Sequence, residues 1–186
     1  MKAYVIIGAN YGDEGKGTVT ASLAHESPGR VLNILTNGGS QRGHSILTHE
    51  HGNMTFHHFG AGTCHGADNY FSRWFILNPM QFVSEYDSLV VKPASIYRDV
   101  FCRWSTPYDM MANHIVEELK GTHASCRMGI WNTIVRHHIG PCVKFDEFVH
   151  GNVNQYEFLR SVKKYYEKGK LNYCLIPQAW ESLWNS

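Results

Sequence analysis

Apolar and polar positions fall along this chain in blocks whose lengths and periods predict an α/β order. Tyr4-Val5-Ile6-Ile7 is an unbroken apolar run of strand length that stops at Gly8, and Val19 to Ala24 is a helix-like stretch after a cluster of glycines. Ser27-Pro28-Gly29-Arg30 has turn composition. Val31 to Leu35 is a second apolar run suited to a buried parallel strand, so the opening predicts a right-handed strand–helix–strand unit. Ile46 to Thr48 and Met54 to His58, joined by polar residues 49–53, read as a hairpin, and Phe71 to Leu77 reads as one core strand. Asn78-Pro79 supplies a helix cap with proline at the first helical position, and Phe82, Val83, Tyr86 and Leu89 follow at helical spacing. Leu89 to Val91 and Ala94 to Tyr97 read as one strand interrupted by Pro93.

Three further helices are predicted downstream. Thr106-Pro107 opens one that runs to Leu119 with Met110, Met111, His114, Ile115, Val116 and Leu119 on its apolar side, and Lys120-Gly121 stops it. Ile130 to Arg136 is the second. Phe145 to Val149 is a short amphipathic piece, and Asn154 to Lys168 is the third helix, burying Phe158, Leu159, Val162, Tyr165 and Tyr166. Trp180 and Trp184 in the tail are spaced to cover a domain edge. The sum is an α/β fold with a mostly parallel sheet flanked by helices.

Chemistry concentrates in the turns. Gly8 to Thr18 reads Gly-Ala-Asn-Tyr-Gly-Asp-Glu-Gly-Lys-Gly-Thr between the first strand and the first helix. Glycines there let backbone N–H groups turn inward, and a helix N-terminus adds its positive end, so the stretch predicts an anion cradle that is P-loop-like. Gly15-Lys16 match the P-loop pattern, but Asn10 and Gly17 replace its first glycine and its hydroxyl residue. Gly12, Asp13, Glu14, Gly15, Lys16, Gly17 and Thr18 are the candidate nucleotide contacts. A carboxylate facing phosphates must hold a metal ion or take a proton, which makes Asp13 a catalytic candidate; the alternative is that Asp13 caps the helix.

A second glycine-rich loop, Asn37 to His44, follows the strand at 31–35, at the sheet end where ligands bind in open α/β folds. Arg42 is available there for an anion and His44 as a proton donor, or His44 is an ordinary surface-loop histidine. His49, His51, His57, His58 and His65 with Cys64 match no zinc spacing and fit a half-exposed hairpin instead.

Length and charge narrow the class. At 186 residues one domain is expected, and a formal net charge of +1 leaves no electrostatic footprint for nucleic acid or an anionic membrane. No apolar run reaches membrane-spanning length and no basic-then-apolar stretch opens the chain, so a cytoplasmic protein is expected. Five scattered cysteines without a C-x-x-C pair predict reduced thiols.

The string Gly12-Asp13-Glu14-Gly15-Lys16-Gly17 after a first strand closely resembles the signature loop of the adenylosuccinate synthetase family, purine ligases that join aspartate to inosine monophosphate using guanosine triphosphate. Gly38-Gly39-Ser40-Gln41-Arg42-Gly43-His44-Ser45 resembles the family's second loop, with Gln41 and Arg42 where the family has Asn and Ala. The resemblance implies that Asp13 removes the purine proton and binds Mg²⁺ together with the Gly43 carbonyl, that Lys16 neutralises phosphates, and that His44 is the general acid. It implies nucleotide contacts from Gln41, Arg42, Gly43, His44 and Ser45. It also implies contacts from Ser125, in a weak match to a nucleotide-gripping run at 121–129, and from Arg136, which would reach the nucleotide of a partner subunit in a homodimer. Alternatively Arg136 is a solvated helix-end arginine. The implied partners are a purine nucleoside monophosphate, GTP or ATP, and L-aspartate. A viral branch that acts on deoxyguanylate usually replaces the loop Asp by Ser, whereas Asp13 is kept here. The resemblance covers most of this chain but less than half of a full member, and no aspartate-binding or guanine-recognising segment is found. A nucleotide-binding module without turnover, or a regulatory partner of a full-length synthetase, is the alternative to a ligase.

Overall fold

The computed structural model describes residues 2–10, 12–120 and 125–168, and its backbone divides into two compact units, Met1–Cys102 and Arg103–Ser186. In the first unit, helix α1 (Lys16–Glu26) leads to strand β1 (Leu32–Leu35). A two-residue strand β2 (Gly38–Gly39) precedes the hairpin β3 (His44–Thr48) and β4 (Gly52–Phe56). A 3-10 turn at Ala61–His65, strands β5 (Asp68–Phe71) and β6 (Phe75–Leu77), helix α2 (Pro79–Ser88) and strand β7 (Ile96–Arg98) complete it. β1, β5 and β7 form a parallel sheet in that order, and β2 pairs with β6 in parallel. The hairpin is antiparallel and sets His44 opposite Phe56.

Several expectations hold and others are corrected. Helix 19–24 is the centre of α1, the hairpin is present, and the Asn78 side chain accepts the Gln81 N–H at the start of α2 with Pro79 at its first position. The apolar run Tyr4 to Ile7 is not a strand: residues 2–8 have no regular structure and Val5 and Ile7 are 87% and 83% exposed. A strand is stable only against a neighbour, and apolar composition alone does not supply one. The run 71–77 is split between β5 and β6, because Ser72 makes a turn, accepting the Phe75 N–H on its carbonyl and the Trp74 N–H on its hydroxyl. Of the run 89–97, only β7 is strand.

Core packing in this unit is aromatic. Phe59, Phe71 and Phe75 are at most 1% exposed, and the Phe82 ring of α2 lies 5.1 Å from Phe59 and 5.8 Å from Phe71. Each fully buried phenylalanine contributes roughly 1.5–3 kcal/mol. Beneath β1 and β5 runs a buried polar seam in which Asn69 donates to Thr63 and Ala67 and accepts from the Gly60 N–H, so the 3-10 turn is tied to the sheet.

The second unit contains strand β8 (Arg103–Trp104) and helices α3 (Pro107–Lys120), α4 (Ile130–Ile139), α5 (Phe145–Val149) and α6 (Gln155–Lys168). Phe158, Val162 and Tyr166 of α6 are buried as their spacing predicts, and the Trp104 ring packs edge-on or tilted against Phe145, Phe148 and Phe158 at 4.8–5.6 Å. α3 turns a different side inward from the one its apolar pattern predicts: Tyr108, Asp109, Ala112 and Glu117 are buried while Met110, Met111 and His114 are half-buried. Asp109 is the reason, because it receives a buried arginine from α4. Trp180, Trp184 and residues 121–124 of the run at 121–129 lie outside the described residues.

Candidate functional site

The glycine-rich loop is built to reverse the chain ahead of α1. Gly12, Asp13 and Gly15 have φ values of 130°, 54° and 74°, and Asp is among the few non-glycine residues that tolerate the left-handed region. Gly15 is the N-cap of α1 and no side chain caps it, so Asp13 is not the helix cap. Its carboxylate is instead exposed at the loop tip.

Inside the loop, an anion is already present. The Glu14 side chain is only 13% exposed; it accepts the Asn10 N–H at 2.6 Å and forms an ion pair with the Lys16 ammonium. It lies over Gly8, where any Cβ would fall onto the carboxylate. The hydrogen bond from Lys16, followed by those from the Asn10 and Gly12 N–H groups, holds the Glu14 carboxyl below the usual range. The loop's own carboxylate thus takes the position a cradle of this kind offers to phosphate.

The two glycine loops meet through Gly17. A Cβ built there would sit 3.2 Å from the His44 Cβ, 3.2 Å from Ile46 Cγ2 and 3.3 Å from the Ser45 carbonyl oxygen. The missing side chain therefore lets the first turn of α1 lie directly on the start of β3. His44 is half-buried, and burial, then the Arg42 and Lys16 charges, push its imidazole below the ordinary value, so it is neutral at pH 7. Ser45 shares a hydrogen bond with Thr55 across the hairpin at 2.9 Å. Thr18, Gln41 and Gly43 are exposed beside these groups in sequence.

Arg42 is placed otherwise than an anion ligand. Its guanidinium donates to the carbonyl oxygens of His57, His58 and Phe59 at 2.5, 2.5 and 3.3 Å and lies 4.9 Å over the Phe75 ring. Burial lowers it to about 10. Glu85 of α2, which no sequence pattern signals, accepts the N–H groups of the same His57, His58 and Phe59.

Ser125 and Arg136 belong to the second unit. The Ser125 hydroxyl is exposed and bonded to Asn113 and the Arg127 N–H. Arg136 is 0% exposed: its guanidinium meets Asp109 at 2.8 and 2.9 Å and the carbonyls of Trp104 and Pro141 at 2.9 Å. As folded here it is not a solvated helix end.

With this geometry in view, the adenylosuccinate synthetase family profile matches residues 5–169. The chain belongs to the adenylosuccinate synthetase family. Adenylosuccinate synthetase of Borrelia duttonii is 25% identical over 146 residues, 76% of this chain and 31% of its own. That of Mycobacterium leprae is 28% identical over 147 residues, 76% of this chain and 32% of its own. The chain therefore spans about a third of the length of these curated relatives. A fully ligated adenylosuccinate synthetase from Plasmodium falciparum shares the fold with a TM-score of 0.74 at 17% identity, over 89% of this chain and 40% of that one. The succinoaminodeoxyadenylate synthetase of cyanophage S-2L, bound to dGMP and dATP, does so with a TM-score of 0.59 at 18% identity, over 76% of this chain and 40% of that one. Among the described residues no helix is long and apolar enough to cross a membrane.

Proposed function

We propose that this chain carries the phosphoryl-transfer part of a purine-nucleotide ligase, acting on the 6-oxygen of a purine nucleoside monophosphate with GTP or ATP. The observation that carries the reading is the contact of α1's first turn with β3, which sets Lys16 and Gly17 beside His44 and Ser45. Asp13 takes the proton from purine N1, and the 6-oxygen attacks the γ-phosphorus as the bond to the β-phosphate oxygen breaks. Lys16, released from Glu14, neutralises the transferring group. His44 donates its N–H as a hydrogen bond to the leaving phosphate oxygen, where negative charge gathers as the bond breaks. The Asp13 carboxylate and the Gly43 carbonyl, both exposed, are hard oxygen donors of the kind that suit Mg²⁺, which when bound would neutralise phosphate charge. Displacement of the 6-phosphate by the amine of L-aspartate would complete the ligation, in a cytoplasmic homodimer as the family implies.

A second reading is nucleotide binding without ligation, which the glycine loop with Lys16 at the N-terminus of α1 would serve by itself. Incubating the chain with Mg²⁺, GTP or ATP, inosine or deoxyguanosine monophosphate and aspartate separates the readings. Phosphate release that needs the monophosphate and ignores aspartate is the expected result. A succinyl adduct would extend the reading to full ligation, and no release under any combination would leave the binding module.

A further inference from the structure

The segment His57 to Phe59, which leaves the end of β4, is gripped from both sides. Glu85 Oε1 accepts the N–H groups of His57 and Phe59 at 2.8 and 3.3 Å, and Oε2 accepts that of His58 at 2.6 Å. Arg42 Nε and Nη2 donate to the carbonyl oxygens of the same three residues. His57 then returns the contact, its Nδ1–H donating to the Arg42 carbonyl at 2.5 Å.

His58 locks the grip to the core. It is 0% exposed, and its Nε2 accepts the Asn78 N–H at 3.1 Å, which puts its proton on Nδ1, where it donates to Glu85 at 3.1 Å. The imidazole is thereby a hydrogen-bonded spacer between α2 and the segment. Burial pushes the Glu85 carboxyl up, but the bonds from His58 and from the backbone more than offset this and leave it below the usual range.

We infer that Arg42 and Glu85 are positioning residues for the second loop, clamping residues 57–59 between them so that Gly43 and His44 stay against α1, and that Arg42 does not bind the nucleotide. The clamp closes the open end of the hairpin, where His44 faces Phe56 and where an unsupported pair of strands would fray. An arginine is needed because a planar fork reaches several carbonyls at once, whereas a lysine offers one nitrogen. A carboxylate is needed opposite because it is acceptor-only, and a glutamine would turn an NH₂ toward peptide N–H groups. The consequence for catalysis rests on the nucleotide-ligase reading; the clamp itself does not.

Arg42→Lys and Glu85→Gln keep size and polarity, so each is compared with wild type by amide hydrogen exchange and by calorimetric titration with MgGTP and MgATP. Exchange at residues 43–45 and 57–59 should rise by about tenfold or more in both variants, while triphosphate affinity stays within about threefold. Phosphate release should fall through kcat with KM unchanged. Loss of triphosphate affinity by about tenfold in Arg42→Lys with unchanged exchange would make Arg42 a nucleotide ligand and overturn the inference. Unchanged exchange in Glu85→Gln would overturn it as well. A wild-type chain that binds neither triphosphate would remove the ligase reading and leave the exchange result to decide the clamp.

Discussion

The two units each contain a cation paired with a carboxylate, and they use the pair in opposite ways. Arg136 and Asp109 are both fully buried, and the network around them is saturated: Asp109 also accepts from the Thr106 N–H and hydroxyl and from Tyr166, while Arg136 also feeds two carbonyls. Lys16 and Glu14 sit in an open glycine loop with side chains 32% and 13% exposed. A pair of the first kind cannot exchange partners without leaving an unpaired charge inside the protein. A pair of the second kind can, because water reaches it. Sequence shows the charges in either case; burial decides whether the pair can part.

The widest separation is expected from removing one member of each pair. Arg136→Ala strands Asp109 in the interior and should cost about 3–5 kcal/mol in denaturant unfolding, enough to unfold the second unit. Lys16→Ala should leave unfolding nearly unchanged. A mild effect of Arg136→Ala would mean that the interior pair is no more structural than the exposed one.

Next come the groups placed for chemistry. Asp13→Asn and His44→Asn should each lower phosphate release by roughly a hundredfold or more, about 2.7 kcal/mol, with triphosphate affinity little changed. Equal rates in all three proteins would return both residues to the role of loop furniture.

Glu14→Gln is expected to act in the other direction. It removes the internal competitor for Lys16, so triphosphate binding followed by calorimetry should tighten by about tenfold. Weaker binding would show that Glu14 belongs to the ligand's own contacts.

A further effect is one of pH. Burial, then the Arg136 charge, lowers His137 to about 4, and its Nε2–H donates to the Trp104 carbonyl at 3.3 Å. The unfolded chain takes up this proton near pH 6.5 and the folded one only near pH 4, so the unfolded state binds more protons between them. Stability of the second unit should therefore fall as pH drops from about 6.5 toward 4, and His137→Asn should flatten that slope in thermal melts.

Much of the architecture is legible in the chain because it rests on local signals. Asn78-Pro79 announces α2, and the spacing of Phe158, Val162 and Tyr166 gives the buried side of α6. Tyr4 to Ile7 misleads, since a strand is a relation between two segments and the partner is not written in the first. Arg136 misleads for the same reason: beside His137 and His138 it has the composition of a solvated helix end, and the Asp109 that draws it inside lies far back in the chain. At the candidate site, Gly12 to Thr18 and Gly43-His44 are readable as loops. Glu85 is not, because its partners are backbone N–H groups, which every residue has and no sequence pattern displays.

Gly17 sets how much drift the molecule can absorb. With a Cβ there, His44 and Ile46 would each have to give by a few tenths of an ångström, a shift that an adjacent helix and hairpin can share with little loss of stability. Catalysis is far less forgiving, since a displacement of about 1 Å between reacting groups can cost roughly a hundredfold. A single methyl group at this position would therefore act on the spacing of α1 and β3 before it acts on the fold.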